Sequence, residues 1–268
     1  MPKLPVPKRL DASGLFAYAT YESITSSALT EQDTMSRRFF FDSPIVGNAV
    51  ELTGPEAQHL AKVMRAKAGD EVTLFDGCGF EFTAEVTTVA RSAIELQIVE
   101  QREVDRELLF ELTLAVALPK GDRQRWLVEK LVELGCTRLQ PILTTRGVAQ
   151  PTGNARARLE RAVIEASKQC GRNRLMVIAT PQQVADILAT ADRITTRLFA
   201  HPGDGETNLE HAREPGSRTV VAVGPEGGFT PEELAMAEAE QWSRVKLGPR
   251  ILRTETAAVA CASLLACG

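Results

Sequence analysis

The sequence predicts an α/β protein in which a small β-barrel-like domain precedes a larger domain built on a mostly parallel sheet. Three observations carry this. From about Arg37 to Arg102, short apolar or alternating runs are divided by glycine turns. From about residue 106, strand-length and helix-length runs alternate. Near the C-terminal end, Thr219–Phe229 reads TVVAVGPEGGF, a β-branched strand that stops at a loop with three glycines in five positions.

Residues 1–34 carry Pro2, Pro5 and Pro7 and show no sustained period. They lack an apolar signal core and an Arg-rich amphipathic helix, so they are expected to be a mobile extension, with a native start near Met35 as the alternative. Residues 35–105 form the barrel-like domain. Its strands are expected at Phe39–Phe41, Ala49–Leu52, Glu71–Phe75, Glu81–Val89 and Ala93–Val99, around one helix at Pro55–Ala66. Gly47-Asn48, Gly69-Asp70 and Asp76-Gly77-Cys78-Gly79 supply the turns.

The larger domain occupies 106–268. Strands are expected at Leu112–Leu118, Arg138–Leu143, Leu175–Ala179, Ile194–Ala200, Thr219–Val223 and Arg244–Leu247. Leu127, Leu131 and Leu134 lie on one face of a helix over Asp122–Leu134. A second helix, 154–170, has Leu159, Ala162, Val163 and Ala166 on one side and Arg158, Arg161, Glu165 and Lys168 on the other. Between Arg146 and Leu175 seven basic residues stand against two acidic ones, a local +5 in a chain of net −4. Such a face is either simply solvated or turned toward a polyanion. After the glycine loop, Thr230 as N-cap, Pro231 at the first helical position and Glu233 make a capping box. The loop is then either a bare β-to-α connection or a place where backbone N–H groups hold a small polar ligand.

Composition excludes several classes. The net charge argues against bulk attraction to nucleic acid or membrane, so an RNA partner requires a local basic face. The longest small or apolar run, Ala257–Cys267, is eleven residues, too short to span a bilayer. Five scattered cysteines without a C-x-x-C pair suggest reduced thiols in a cytoplasm. Three unclustered histidines predict no metal centre, and neither a P-loop nor a dinucleotide fingerprint occurs.

The pair GPEGGF (Gly224–Phe229) and LGPRILRTETA (Leu247–Ala257) resembles the ribosomal RNA small subunit methyltransferase E family of the SPOUT superfamily. Glu133-Leu134-Gly135, the run Glu165–Arg172 (EASKQCGR) and Phe75-Asp76-Gly77 extend the likeness from about Arg37 to the C-terminus. The final helix is expected to end a little early for the family. The resemblance implies a PUA-like barrel, a SPOUT α/β domain with a trefoil knot, S-adenosylmethionine held in the knot, and a homodimer. It also implies methylation of N3 of a uridine in the decoding region of 16S rRNA, on the 30S subunit. Another SPOUT methyltransferase, acting on a ribose 2′-OH or a guanine, and a non-catalytic RNA-binding or ribosome-assembly factor are the alternatives.

On that basis the cofactor is expected to contact Leu198, Ala200, Gly224, Glu226, Gly227, Gly228, Leu247, Gly248, Ile251, Leu252 and Arg253. Uracil N3 must lose a proton at or before attack, so the site needs a proton acceptor or a cation that stabilises the anion. Arg253 is the first choice for the cation; Glu226 and Glu255 are candidates for base or orienter. An Arg253–Glu255 ion pair holding the segment is the competing reading. The RNA-binding set is Arg37, Arg38, Lys62, Arg65, Lys120, Arg146, Arg161, Lys168 and Arg172.

Overall fold

The structure, a computed structural model, describes residues 37–147, 153–189, 195–203, 209 and 218–267. The N-terminal extension and His211 lie outside the described residues. The first sheet has five strands: β1 (Arg38–Phe40), β2 (Ala49–Thr53), β3 (Glu71–Phe75), β4 (Phe80–Val89) and β5 (Ala93–Glu103). Their order is β1-β3-β4-β5-β2, antiparallel except for the parallel β1–β3 pair. Register shifts at Thr83/Ala84 and Val86/Thr88 curl the β4–β5 ribbon, as bulges do. The sheet closes over Phe39, Leu52, Leu74, Phe82 and Leu96. The helix expected at 55–66 divides into α1 (Gly54–Gln58) and a π-helical stretch, His59–Val63.

The second sheet contains β6 (Leu112–Val116), β7 (Arg138–Leu143), β8 (Val177–Ile178), β10 (Thr195–Ala200), β11 (Arg218–Val223) and β12 (Ser243–Val245), in the order β12-β10-β11-β6-β7-β8. β9 (Gln182–Gln183) pairs with β7 off that path. Every pair in this sheet is parallel. Helices cover both faces, as a parallel sheet requires: α2 (Arg123–Glu133), α3 (Gly153–Cys170) and α6 (Thr254–Cys267) on one, α4 (Val184–Ala189) and α5 (Pro231–Ala239) on the other. The period of two sorts the side chains. Leu112, Leu114, Val116, Val221 and Val223 meet the first layer, while Ala115, Ala222 and Phe199 meet the second.

Ions fasten the two domains. Arg38, with its side chain 4% exposed, donates to the Glu81 carboxylate at 2.5 Å and reaches across to the Arg172 carbonyl and Asn173 Oδ1. Arg106 donates to Glu81 and to the Gly171 carbonyl, both at 2.8 Å. Lys168 on α3 pairs with Glu56 on α1 at 2.9 Å and stands over the Phe39 ring. Arg172 is buried, pairs with Glu107, and donates to the carbonyls of Val132 and Cys136. Arg38, Lys168 and Arg172 therefore leave the expected RNA-facing set, because their charges are turned inward and neutralised.

Candidate active site

The site lies at the carboxyl ends of β10, β11 and β12, where open parallel sheets bind ligands. The loops leaving these strands enclose a cavity of about 340 Å³, within the ordinary range for small-molecule sites. β11 runs into the glycine loop, which tightens at Gly228 (φ +69), whose N–H donates to the Pro225 carbonyl at 2.8 Å. The capping box at α5 forms as expected, with the Glu233 carboxylate accepting from Thr230 N and the Thr230 hydroxyl from Glu233 N. The other Glu233 oxygen accepts from Thr145 N at 2.8 Å, which ties the β7 exit loop to the same corner.

Arg146 donates to the Gly227 carbonyl at 2.8 Å, so this cation of the expected RNA-binding set braces the glycine loop. A Cβ at Gly227 would lie 3.3 Å from Arg146, and one at Gly224 3.2 Å from the Phe229 ring. The facing wall is 247–252, with Gly248 in the left-handed region at φ +94. The Thr254 hydroxyl donates to the Gly224 carbonyl at 3.1 Å and joins the two walls at the start of α6.

Arg123 joins the cavity to its surroundings. From the first turn of α2 its guanidinium lies 3.3 Å from both Glu226, on the cavity wall, and Glu255, in the first turn of α6. Glu255 thus pairs with Arg123, and the competing Arg253–Glu255 reading gives way. The sequence held one faint sign of Arg123. A cation in the first turn of a helix opposes the helix dipole, so something nearby has to compensate it.

An RNA methyltransferase domain family matches residues 106–266, and an RNA methyltransferase PUA domain family matches residues 52–99. Ribosomal RNA small subunit methyltransferase E of Synechocystis is 35% identical over 220 residues, which cover 80% of this chain and 71% of the relative. The chain belongs to the ribosomal RNA small subunit methyltransferase E family. The Bacillus subtilis member of the methyltransferase E family is 30% identical over 217 residues, 77% of this chain and 85% of that one. Among solved structures, the methyltransferase E of Neisseria gonorrhoeae bound to S-adenosyl methionine superposes with a TM-score of 0.79 at 32% identity, covering 85% of this chain and 95% of that one. A Legionella pneumophila methyltransferase in complex with the same cofactor gives 0.76 at 29% identity, covering 85% and 95%.

Against this methyltransferase E background, the residues expected from sequence divide. Ala200, Gly224, Glu226, Gly227, Gly228, Leu247, Gly248, Ile251 and Leu252 line the cavity together. Leu198 does not. It is 1% exposed and belongs to the core beneath α2 and α6, two positions before the strand end that reaches the cavity. Arg253 is exposed at the rim, outside the lining, with its carbonyl accepting from Ala257 N. The Glu255 carboxylate is buried and also outside the lining. Arg37, Lys62, Arg65, Lys120 and Arg161 are exposed. Sequence reasoning missed Arg123, Thr254 and His201, the last set on the cavity wall directly after β10.

Proposed function

We propose that the chain binds S-adenosylmethionine in this cavity and methylates N3 of a uridine in the decoding region of 16S rRNA, on the assembled 30S subunit. The observation that carries this reading is the cavity itself, whose lining is chiefly backbone and apolar surface. Gly224, Gly227, Gly228 and Gly248 offer main-chain groups for the polar edges of an adenosine, and Val223, Leu247, Ile251, Leu252 and Ala257 an apolar slot for its ring. At Gly228 and Gly248 a Cβ would meet no atom within 4 Å, which leaves room for a ligand against the chain. The cofactor-bound Neisseria relative supports the same assignment.

When bound, the cofactor supplies an electrophilic methyl group. The chain's own residues handle the proton and the charge. Glu226, whose side chain is 46% exposed and oriented by Arg123, is the proton acceptor for uridine N3 in this reading. Arg253 at the rim supplies the cation for the charge spread over O2, N3 and O4. Glu255 serves as a holder of Arg123. Uridine N3 lies on the Watson–Crick edge, so the base must be turned out of its stack to enter.

Lys120, just before α2, and Arg161, which lines a second groove of about 280 Å³ with Arg125 and Arg158, support an RNA path from the cavity mouth toward α3. Exposed Ile251, Trp126 and Leu264, near the packed pair α2 and α6, support a homodimer that completes the site. A trefoil threading of the 218–267 region belongs to the same proposal. The test is methyl transfer to 30S subunits and to naked 16S rRNA, with the product mapped by mass spectrometry. Methyl on uridine N3 bears the proposal out; methyl on a ribose or a guanine, or absence of S-adenosylmethionine binding, overturns it.

A further inference from the structure

His201 is anchored to the sheet through its own N–H, which donates to the Val245 carbonyl at 3.0 Å, and its ring stands on the cavity wall. Nδ1 accepts the Gly203 N–H at 3.0 Å, so in the neutral ring the proton resides on Nε2. Protonating Nδ1 would set one N–H against another. Charged groups surround the ring from several elements. Arg244 of β12 and Glu238 of α5 pair with each other, Lys246 follows on the exit of β12, and Arg146, Arg250 and Glu226 line the same cavity. Burial and then Arg244 lower the basicity of His201, and Glu238 only partly opposes them.

We propose that His201 is a charge-selecting residue of the cofactor cavity: as a neutral Nε2–H donor it admits a sulfonium cation, and as an imidazolium it repels one. The inference rests on the S-adenosylmethionine reading. S-adenosylmethionine and S-adenosylhomocysteine differ by one methyl and one positive charge at sulfur. An imidazolium acts on the charge, and its effect is lost when the ring is replaced, whereas discrimination by cavity shape at the methyl is not.

Calorimetric binding of both ligands to the full chain from about pH 7 down to about pH 4, a range carried below an ordinary histidine titration because burial and Arg244 lower that of His201, tests this. S-adenosylmethionine affinity is expected to fall by about fivefold or more on acidification, and S-adenosylhomocysteine affinity by less than about twofold. His201→Gln, which keeps a neutral N–H donor, is expected to remove the pH-dependent difference between the two ligands. A parallel fall for both ligands, or an unchanged cation-specific fall in His201→Gln, overturns the proposal. Failure of both ligands to bind at any pH in that range defeats the cofactor reading and this inference with it.

Discussion

Replacing Glu81 by Gln removes one negative charge from the domain junction and keeps the shape of the side chain. Arg38 is then left 4% exposed with no anion beside it, keeping only neutral partners: the Gln amide oxygen, the Arg172 carbonyl, Asn173 Oδ1 and the face of the Phe75 ring. Breaking a buried ion pair from one side destabilises by about 3–5 kcal/mol. With a urea slope of about 2–3 kcal/mol per molar, the unfolding midpoint should drop by about 1–2.5 M. Fluorescence of Trp242, which is buried, and Trp126, which is half-exposed, provides the signal. The paired replacement Arg38→Met with Glu81→Leu should recover most of the loss, since an apolar pair needs no counter-charge. A shift below about 1 kcal/mol for Glu81→Gln would place the pair among ordinary solvated bridges and refute an ionic fastening of the domains. The pH dependence has a definite sign. Burial disfavours the Glu81 charge, but hydrogen bonding and attraction from Arg106 and Arg38 prevail and hold the carboxyl below its ordinary value of 4.5. Its stabilising contribution is therefore present above that value and is lost as pH falls through the lower folded value, and Glu81→Gln should lack this loss.

Arg123→Met should cost about 1–3 kcal/mol in urea unfolding, because Glu255 stays buried without its cation, and should lower methyl transfer more than cofactor affinity. Arg123→Lys, which keeps the charge, is expected to recover part of both losses. Gly248→Val forces a β-branched side chain to φ +94 and should weaken cofactor binding by about tenfold in calorimetry, matching a strain of about 1–2 kcal/mol. Burial pushes the Cys136 and Cys261 thiols up to about 12, so a thiol reagent near neutral pH should label exposed Cys78 and Cys267 first and reach Cys136 and Cys261 only after unfolding.

The glycine loop and its capping box were legible from sequence because each rests on local chemistry, chain reversal and cap hydrogen bonding, whereas the Leu247–Leu252 wall was expected only through the family resemblance. Sheet order was not legible, since no periodicity says that β6 lies between β11 and β7. The basic residues misled for a related reason. Helical spacing puts Lys168 on the polar side of α3, yet Ala166, Ser167 and Lys168 are all buried where the helix end meets the barrel. A face that looks solvated along one helix becomes an interface once another domain covers it. Neighbouring Ser167 is fully buried by the same covering. Arg123 escaped notice because its two partners are a hundred or more positions away in the chain, at Glu226 and Glu255.

The central place of β6 also governs how the molecule is made. Leu112 pairs with Thr219, and the glycine loop and the 247–252 wall of the cavity come later still. At ribosomal rates of about 5–20 residues per second, the roughly one hundred intervening residues leave one edge of β6 without its strand for about 5–20 s. Unpaired edges invite pairing with other chains. The barrel, complete by Glu103, is available far earlier, whereas Arg38 acquires its Asn173 partner only after α3 has emerged. In a growing chain the cavity is thus among the last parts to take shape, and a truncation between Phe229 and Leu247 would keep the glycine loop but leave the cavity without its 247–252 wall.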